Sequence, residues 1–187
     1  MPTLLELEAV ASGCVRCPLA AGRTNVVFGV GDPDADLMFV GEGPGRDEDL
    51  KGEPFVGRSG QLLDRVMQEE MGISRDRGVY IANVVKCRPP GNRDPEPAEI
   101  ASCRPYLEQQ IALIAPKVIV TLGNFATRLL LDTTQGITKL RGKAYPYGNT
   151  VIVPTYHPSA VLRSGGAGEA MAGLRADLVR AKEYLSC

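Results

Sequence analysis

Tryptophan is absent from this 187-residue chain, and histidine occurs once, at position 157. Any imidazole chemistry therefore falls to His157 alone. Four Phe and six Tyr are the only other aromatic side chains. Long apolar runs are missing too. None approaches the roughly 20 residues of a membrane span, and Met1-Pro2 leads into TLLELEAV without the basic start of a signal peptide. The expectation is a cytoplasmic protein with no membrane partner. No internal repeat or low-complexity tract breaks the chain, and its length suits one domain, residues 1–187, with a full core.

Neither sign of charge dominates, since the formal net charge is −1. The distribution is uneven, however. Residues 139–187 hold seven bases (Lys139, Arg141, Lys143, Arg163, Arg175, Arg180 and Lys182) against three acids, whereas residues 1–60 hold ten acids and five bases. A protein that binds a polyanion needs positive charge on one face, not in total. Solvated helix and loop charges account for the same pattern equally well.

Five cysteines stand at 14, 17, 87, 103 and 187. A domain of this size needs no disulfide staples. Cys14-x-x-Cys17 has metal-ligand spacing, and Cys87 and Cys103 form a second pair with fifteen residues between them. Four thiolates suit tetrahedral zinc or a [4Fe–4S] cluster. Zinc ribbons usually show two tight knuckles, so the loose second pair favours a cluster. Buried, inert cysteines are the alternative. Cys187 is not expected to be a ligand.

Four apolar runs rich in β-branched residues read as strands: 37–40, 79–85, 117–122 and 150–155. They lack alternation, as strands buried on both faces do. Helical patterns over 57–71, 97–115, 124–131 and 169–185 alternate with them. The resulting expectation is an α/β fold, a three-layer α/β/α arrangement with a central four-stranded parallel sheet. Ligands bind such sheets beyond the carboxyl ends of the strands. Glu42, Asn83 and His157 each follow or end a strand and should converge on one edge.

The segments at those ends carry the chemistry. GEGPG (41–45) has the wrong spacing for a dinucleotide fingerprint, but a Gly-rich loop after a strand brings backbone N–H groups near a ligand, with Glu42 as a carboxylate. Gly29-Val30-Gly31 reads as a turn. In GEPFVGRSGQ, Phe55 is a loop anchor or a stacking platform, and Ser59 with Gly60 at a helix start is an N-cap or a phosphate site. After His157, Ser159 is placed to reach a phosphate. Ala160-Val-Leu162 beside Arg163 reads either as an exposed wedge that opens a base stack or as a packed helix turn.

GEGPG, KCRPPGNR and HPSAVLR, together with the four cysteines, closely resemble the family 4 uracil-DNA glycosylases, over about residues 5 to 185. The resemblance implies a monofunctional DNA repair enzyme that flips uracil out of single- or double-stranded DNA and hydrolyses its N-glycosidic bond, as a monomer near the nucleoid. It implies a structural [4Fe–4S] cluster on Cys14, Cys17, Cys87 and Cys103. It gives Phe55 the stacking role, Asn83 the reading of uracil O4 and N3, His157 a hydrogen bond to O2, and Glu42 the attacking water or the sugar's positive charge. Gly41 and Gly43 line the base. Ser59, Gly60, Ser159, Leu162 and Arg163 contact DNA, with Leu162 and Arg163 filling the vacated space. The family loop usually reads GEAPG, so Gly43 is a departure that bears on rate or substrate breadth. Residues 46–54, RDEDLKGEP, are acidic and lack the histidine of relatives that trap uracil-DNA covalently. A non-catalytic or trapping uracil-DNA binder is the alternative, and a cluster-bearing electron carrier ranks below it.

Overall fold

A computed structural model describes residues 1–187. In chain order the elements are α1 (Leu4–Ser12), α2 (Leu19–Gly22), β1 (Val30–Gly31), β2 (Leu37–Gly41), α3 (Arg46–Lys51), α4 (Arg58–Met71), β3 (Val79–Asn83), a 3-10 turn (Pro90–Asn92), α5 (Pro97–Ile114), β4 (Val118–Leu122), α6 (Asn124–Leu131), α7 (Ile137–Leu140), β5 (Tyr145–Tyr147), β6 (Thr150–Thr155), α8 (Pro158–Arg163) and α9 (Gly168–Leu185). The sheet has six strands in the order β1-β3-β2-β4-β6-β5. Its inner four are parallel, and β1 and β5 pair antiparallel at the two edges.

The four inner strands match the expected ones, and the layered α/β/α architecture holds. Two corrections apply. The sheet is larger by two edge strands of two and three residues, too short to carry a periodic signal. One of them is Val30–Gly31, which is an edge strand and not only a turn. The run 79–85 also ends as a strand at Asn83, beyond which Val84 and Val85 donate their N–H groups to Gly41, at the end of β2, and to Glu42 just after it.

Every residue of β2, β3 and β4 is buried. Alternate side chains feed two cores. Leu37, Phe39, Ile81 and Val120 meet the stripe Leu62, Leu63, Val66 and Met67 of α4 and Leu174 and Leu178 of α9. Met38, Val40, Ala82 and Ile119 meet Leu107 and Ile111 of α5 and Ala126 of α6. At roughly 25 cal/mol per Å² of apolar surface removed from water, these two layers hold the strand ends in place. The chain leaves β2 toward β3 on one side and returns to β4 on the other. That makes the carboxyl end of β2 a switch point, where a crevice opens.

No helix is long and apolar enough to cross a membrane. Two of the seven bases in residues 139–187 are committed within the fold. Arg141 pairs with Asp177 at 2.9 Å, and Arg175 pairs with Glu69 and Glu70. Arg141 also stacks over Tyr156, 5.2 Å from the ring centre, one residue before His157. Asp177 is 1% exposed, so Asp177→Ala should destabilise the chain by about 3 kcal/mol, the cost of orphaning one member of a buried ion pair. Urea unfolding of the variant against the unmodified chain measures it.

Candidate functional site

An open cleft of about 780 Å³ lies at the carboxyl edge of the sheet. Glu42, Phe55, Asn83 and His157 all line it, with Gly43, Ser59, Ser159 and Arg163. Gly41, Gly60 and Leu162 do not. The sequence thus placed the acid, the amide and the imidazole together correctly, and the fold assigns the two buried glycines a different task.

Phe55 and Asn83 crowd over Gly41. A Cβ at Gly41 would lie 2.5 Å from the Phe55 ring and 2.6 Å from Asn83 Oδ1, so only a glycine fits beneath them. Gly60 is bare for a similar reason, because a Cβ there would run into the Phe55 carbonyl. Phe55 itself has φ 54°, a left-handed conformation that a bulky residue holds only at a cost of about 1–3 kcal/mol. At Gly43 a methyl would stand 2.6 Å from Val85 Cγ2, so the departure from GEAPG bears on the packing of the segment after β3.

Asn83 is 1% exposed, and its Oδ1 has no hydrogen-bond partner. A buried acceptor left unpaired costs about 1–3 kcal/mol, and an N–H donor from a ligand would recover it. Its backbone carbonyl is taken by the Lys86 ammonium at 2.8 Å. Lys86 is buried and also donates to Gln110 Oε1 at 2.5 Å; burial pushes its pKa down to about 8.

His157 caps α8. Its Nδ1 accepts from the Ser159 backbone N–H at 3.0 Å and lies 2.7 Å from the Ser159 hydroxyl. That contact leaves the ring proton on Nε2. The imidazole packs 5.5 Å from the Phe55 ring at an interplanar angle of 31°. Burial, and then the Arg163 guanidinium, push its pKa down to about 4. The ring is therefore a neutral Nε2–H donor at physiological pH. Glu42 is shifted the other way. Burial and the nearby Asp94 raise its carboxyl above the usual range, while Arg163 opposes the rise.

Gly57, not Ser59, caps α4, so Ser59 is the second residue of the helix, with no capping bond. Ala160-Val-Leu162 is not an exposed wedge, because helical periodicity turns Val161 fully into the core and packs Leu162 partly against it; Arg163 alone is exposed. Of the seven bases in residues 139–187 only Arg163 lines the cleft, whose four arginines are balanced by four acids.

On the opposite side of Asn83, Cys14, Cys17, Cys87 and Cys103 line one small cavity of about 20 Å³, walled by Ala11, Ala20, Val26 and Tyr106. Cys187 is exposed and elsewhere. The Lys86 backbone N–H donates to Cys103 Sγ at 3.3 Å, and Arg23 Nη1 to Cys87 Sγ at 3.6 Å. No three of the cysteines are grouped as ligands of a metal ion in the structure. Four sulfurs around a shared apolar space, with N–H donors aimed at two of them, fit an iron–sulfur cluster.

The family model of the uracil DNA glycosylase superfamily matches residues 28–178. The chain belongs to that superfamily. It is 47% identical over 170 residues to a type-4 uracil-DNA glycosylase of Sulfurisphaera tokodaii, covering 87% of this chain and 77% of the relative. It is also 47% identical over 174 residues to a type-4 uracil-DNA glycosylase of Thermotoga maritima, covering 92% and 89%. A type-5 uracil-DNA glycosylase of Pyrobaculum aerophilum is more distant, 31% identical over 181 residues. Within this superfamily chain, Arg75, Glu48 and Lys86 are the polar residues that sequence reasoning missed. Arg75 reaches carbonyls 20 and 21 residues away, whereas Glu48 and Lys86 also hold groups within ten residues, at separations that follow no helix or strand period.

Because histidine occurs once, its state is directly readable. A ¹⁵N NMR titration should show a single imidazole with Nε2–H from pH 8 to 5.5 and an inflection near pH 4. An inflection near the ordinary value of about 6.5 would contradict the burial described here.

Proposed function

We propose that this chain is a type-4 uracil-DNA glycosylase, releasing uracil from single- or double-stranded DNA and leaving an abasic site. The observation that carries the reading is the buried, unpartnered Asn83 Oδ1 beside an aromatic ring and a neutral imidazole donor. Uracil presents an N–H at N3 to that oxygen and a carbonyl at O4 to the amide N–H₂. Cytosine reverses both groups, so its binding would leave the buried oxygen facing an acceptor.

In the proposed reaction the flipped base stacks on Phe55, and the bond from N1 to the sugar C1′ breaks with its electron pair going to uracil. His157 Nε2–H donates to O2, where the negative charge develops, and the neutral ring stabilises that charge through the hydrogen bond while keeping its proton. Glu42, ionised, faces the positive charge on the sugar and orients the water that adds to C1′. No lysine lines the cleft, which favours hydrolysis over an imine with the sugar. Exposed Arg46, Arg58 and Arg163 supply phosphate contacts. A single extruded nucleotide needs few of them, which agrees with the balanced charge of the cleft.

Cys14, Cys17, Cys87 and Cys103 would hold a [4Fe–4S] cluster. Bound there, it supplies a covalent tie between the N-terminal segment, the end of β3 and α5, and no electron to the excision. Iron and sulfide analysis should find about four of each per chain, lost in Cys17→Ser and Cys103→Ser and retained in Cys187→Ser. Full iron in Cys17→Ser would refute the ligand set.

The deciding experiment is uracil release from oligonucleotides containing U, U·A or U·G. Turnover is expected; a single stoichiometric burst would favour the non-catalytic binder. Asn83→Asp and Glu42→Ala should each lower the rate about 100-fold or more without loss of fold. As pH falls, Glu42 takes up its proton above the usual carboxylate range, before His157 does near 4. Activity should therefore drop on the acid side through an inflection that Glu42→Gln removes from its residual rate.

A further inference from the structure

Phe55 is held in place from outside the cleft. Arg75, in the turn between α4 and β3, donates from Nη2 to the Phe55 carbonyl at 2.5 Å and from Nη1 to the Pro54 carbonyl at 3.1 Å. Its Nε is anchored by Asp64 of α4 at 2.8 Å. On the far side of the ring, the Glu48 carboxylate takes the Val56 and Gly57 N–H groups at 2.9 and 2.8 Å. The two peptide carbonyls before the turn and the two amides after it are thus all fixed by side chains. Between them, Phe55 adopts the left-handed φ of 54° that lays its ring over Gly41 and beside His157.

A left-handed phenylalanine relaxes to extended backbone unless its surroundings oppose the change. Relaxation would rotate the Phe55 carbonyl away from α4 and swing the ring off Gly41. Arg75 opposes that motion with a planar fork that spans both carbonyls while resting on Asp64, a geometry a single ammonium cannot reproduce. Arg75 does not line the cleft, so whatever it contributes to excision passes through Phe55.

We propose that Arg75 is a positioning residue for base excision, locking the Phe55 ring as the stacking platform. The inference rests on the reading of Phe55 as the surface that receives uracil. A double-mutant cycle tests it. Single-turnover uracil excision is compared for the unmodified chain, Arg75→Gln, Phe55→Ala and the double variant, with affinity for abasic-site DNA and thermal unfolding measured alongside.

Arg75→Gln should slow excision about tenfold in the unmodified background and less than about twofold in the Phe55→Ala background, with abasic-site affinity nearly unchanged. Arg75→Lys should recover only part of the rate. The same factor in both backgrounds would overturn the proposal, since a merely structural role for Arg75 is indifferent to the ring. No effect in either background would overturn it too. If Arg75→Gln unfolds, Asp64→Asn, which loosens only the guanidinium's anchor, carries the same cycle. Absence of uracil release by the unmodified chain would remove the functional reading and this inference together, whereas release with equal factors removes the inference alone.

Discussion

The close approach of Phe55 and Asn83 over Gly41 is the contact on which the rest of the cleft depends. Gly41 is the last residue of β2 and pairs in register with Asn83, the last of β3. Because the strand ends are locked by two apolar layers, the aromatic ring and the amide meet at a fixed place with no room for a side chain below them. Such a site is built before any ligand arrives. The cost is an unpaired buried oxygen and a left-handed phenylalanine, both of the kind that concentrate at functional sites.

The segment leaving β3 joins this site to the cysteine cavity. Asn83 and Cys87 are four residues apart, and all three backbone amides between them are engaged. Val84 and Val85 bond back to Gly41 and Glu42, the Lys86 backbone N–H reaches Cys103 Sγ, and the Lys86 ammonium holds the Asn83 carbonyl. One short stretch therefore sets both the direction of the amide and the position of two sulfurs. A group bound by the four cysteines would stiffen the base-reading amide without touching the base, which gives a structural tie a reason to sit on this side of the sheet.

How much of this was legible in the sequence follows from how each feature is encoded. The four inner strands are buried on both faces and so are written as continuous β-branched runs. Edge strands of two or three residues pair through backbone alone and write nothing. His157 stood out because it was solitary and followed a strand. Asn83 stood out as a polar residue closing an apolar run. Arg75, Glu48 and Lys86 were invisible because they hold backbone groups in loops or at a strand end, at separations from three to 21 residues that follow no common helix or strand period. The segment 160–162 read equally well as an exposed wedge or a packed helix turn, and the structure takes the second for Val161. Position 161 lies on the inward face of a helical turn, so the core claims Val161 whatever its neighbours do.

Arg163 shows how the site combines binding with catalysis. It is exposed at the cleft rim, where a phosphate would meet it, and its charge reaches both titrating groups inside. It pushes His157 toward the neutral form and Glu42 toward the ionised form. Those are the two states the proposed reaction uses, a neutral Nε2–H donor and a carboxylate that faces a developing cation. Burial alone would favour neutral forms of both. Burial therefore suffices for the histidine, whereas the carboxylate needs an outside cation to resist it. A guanidinium at the rim meets that need from a distance, without lying in the space the base must occupy.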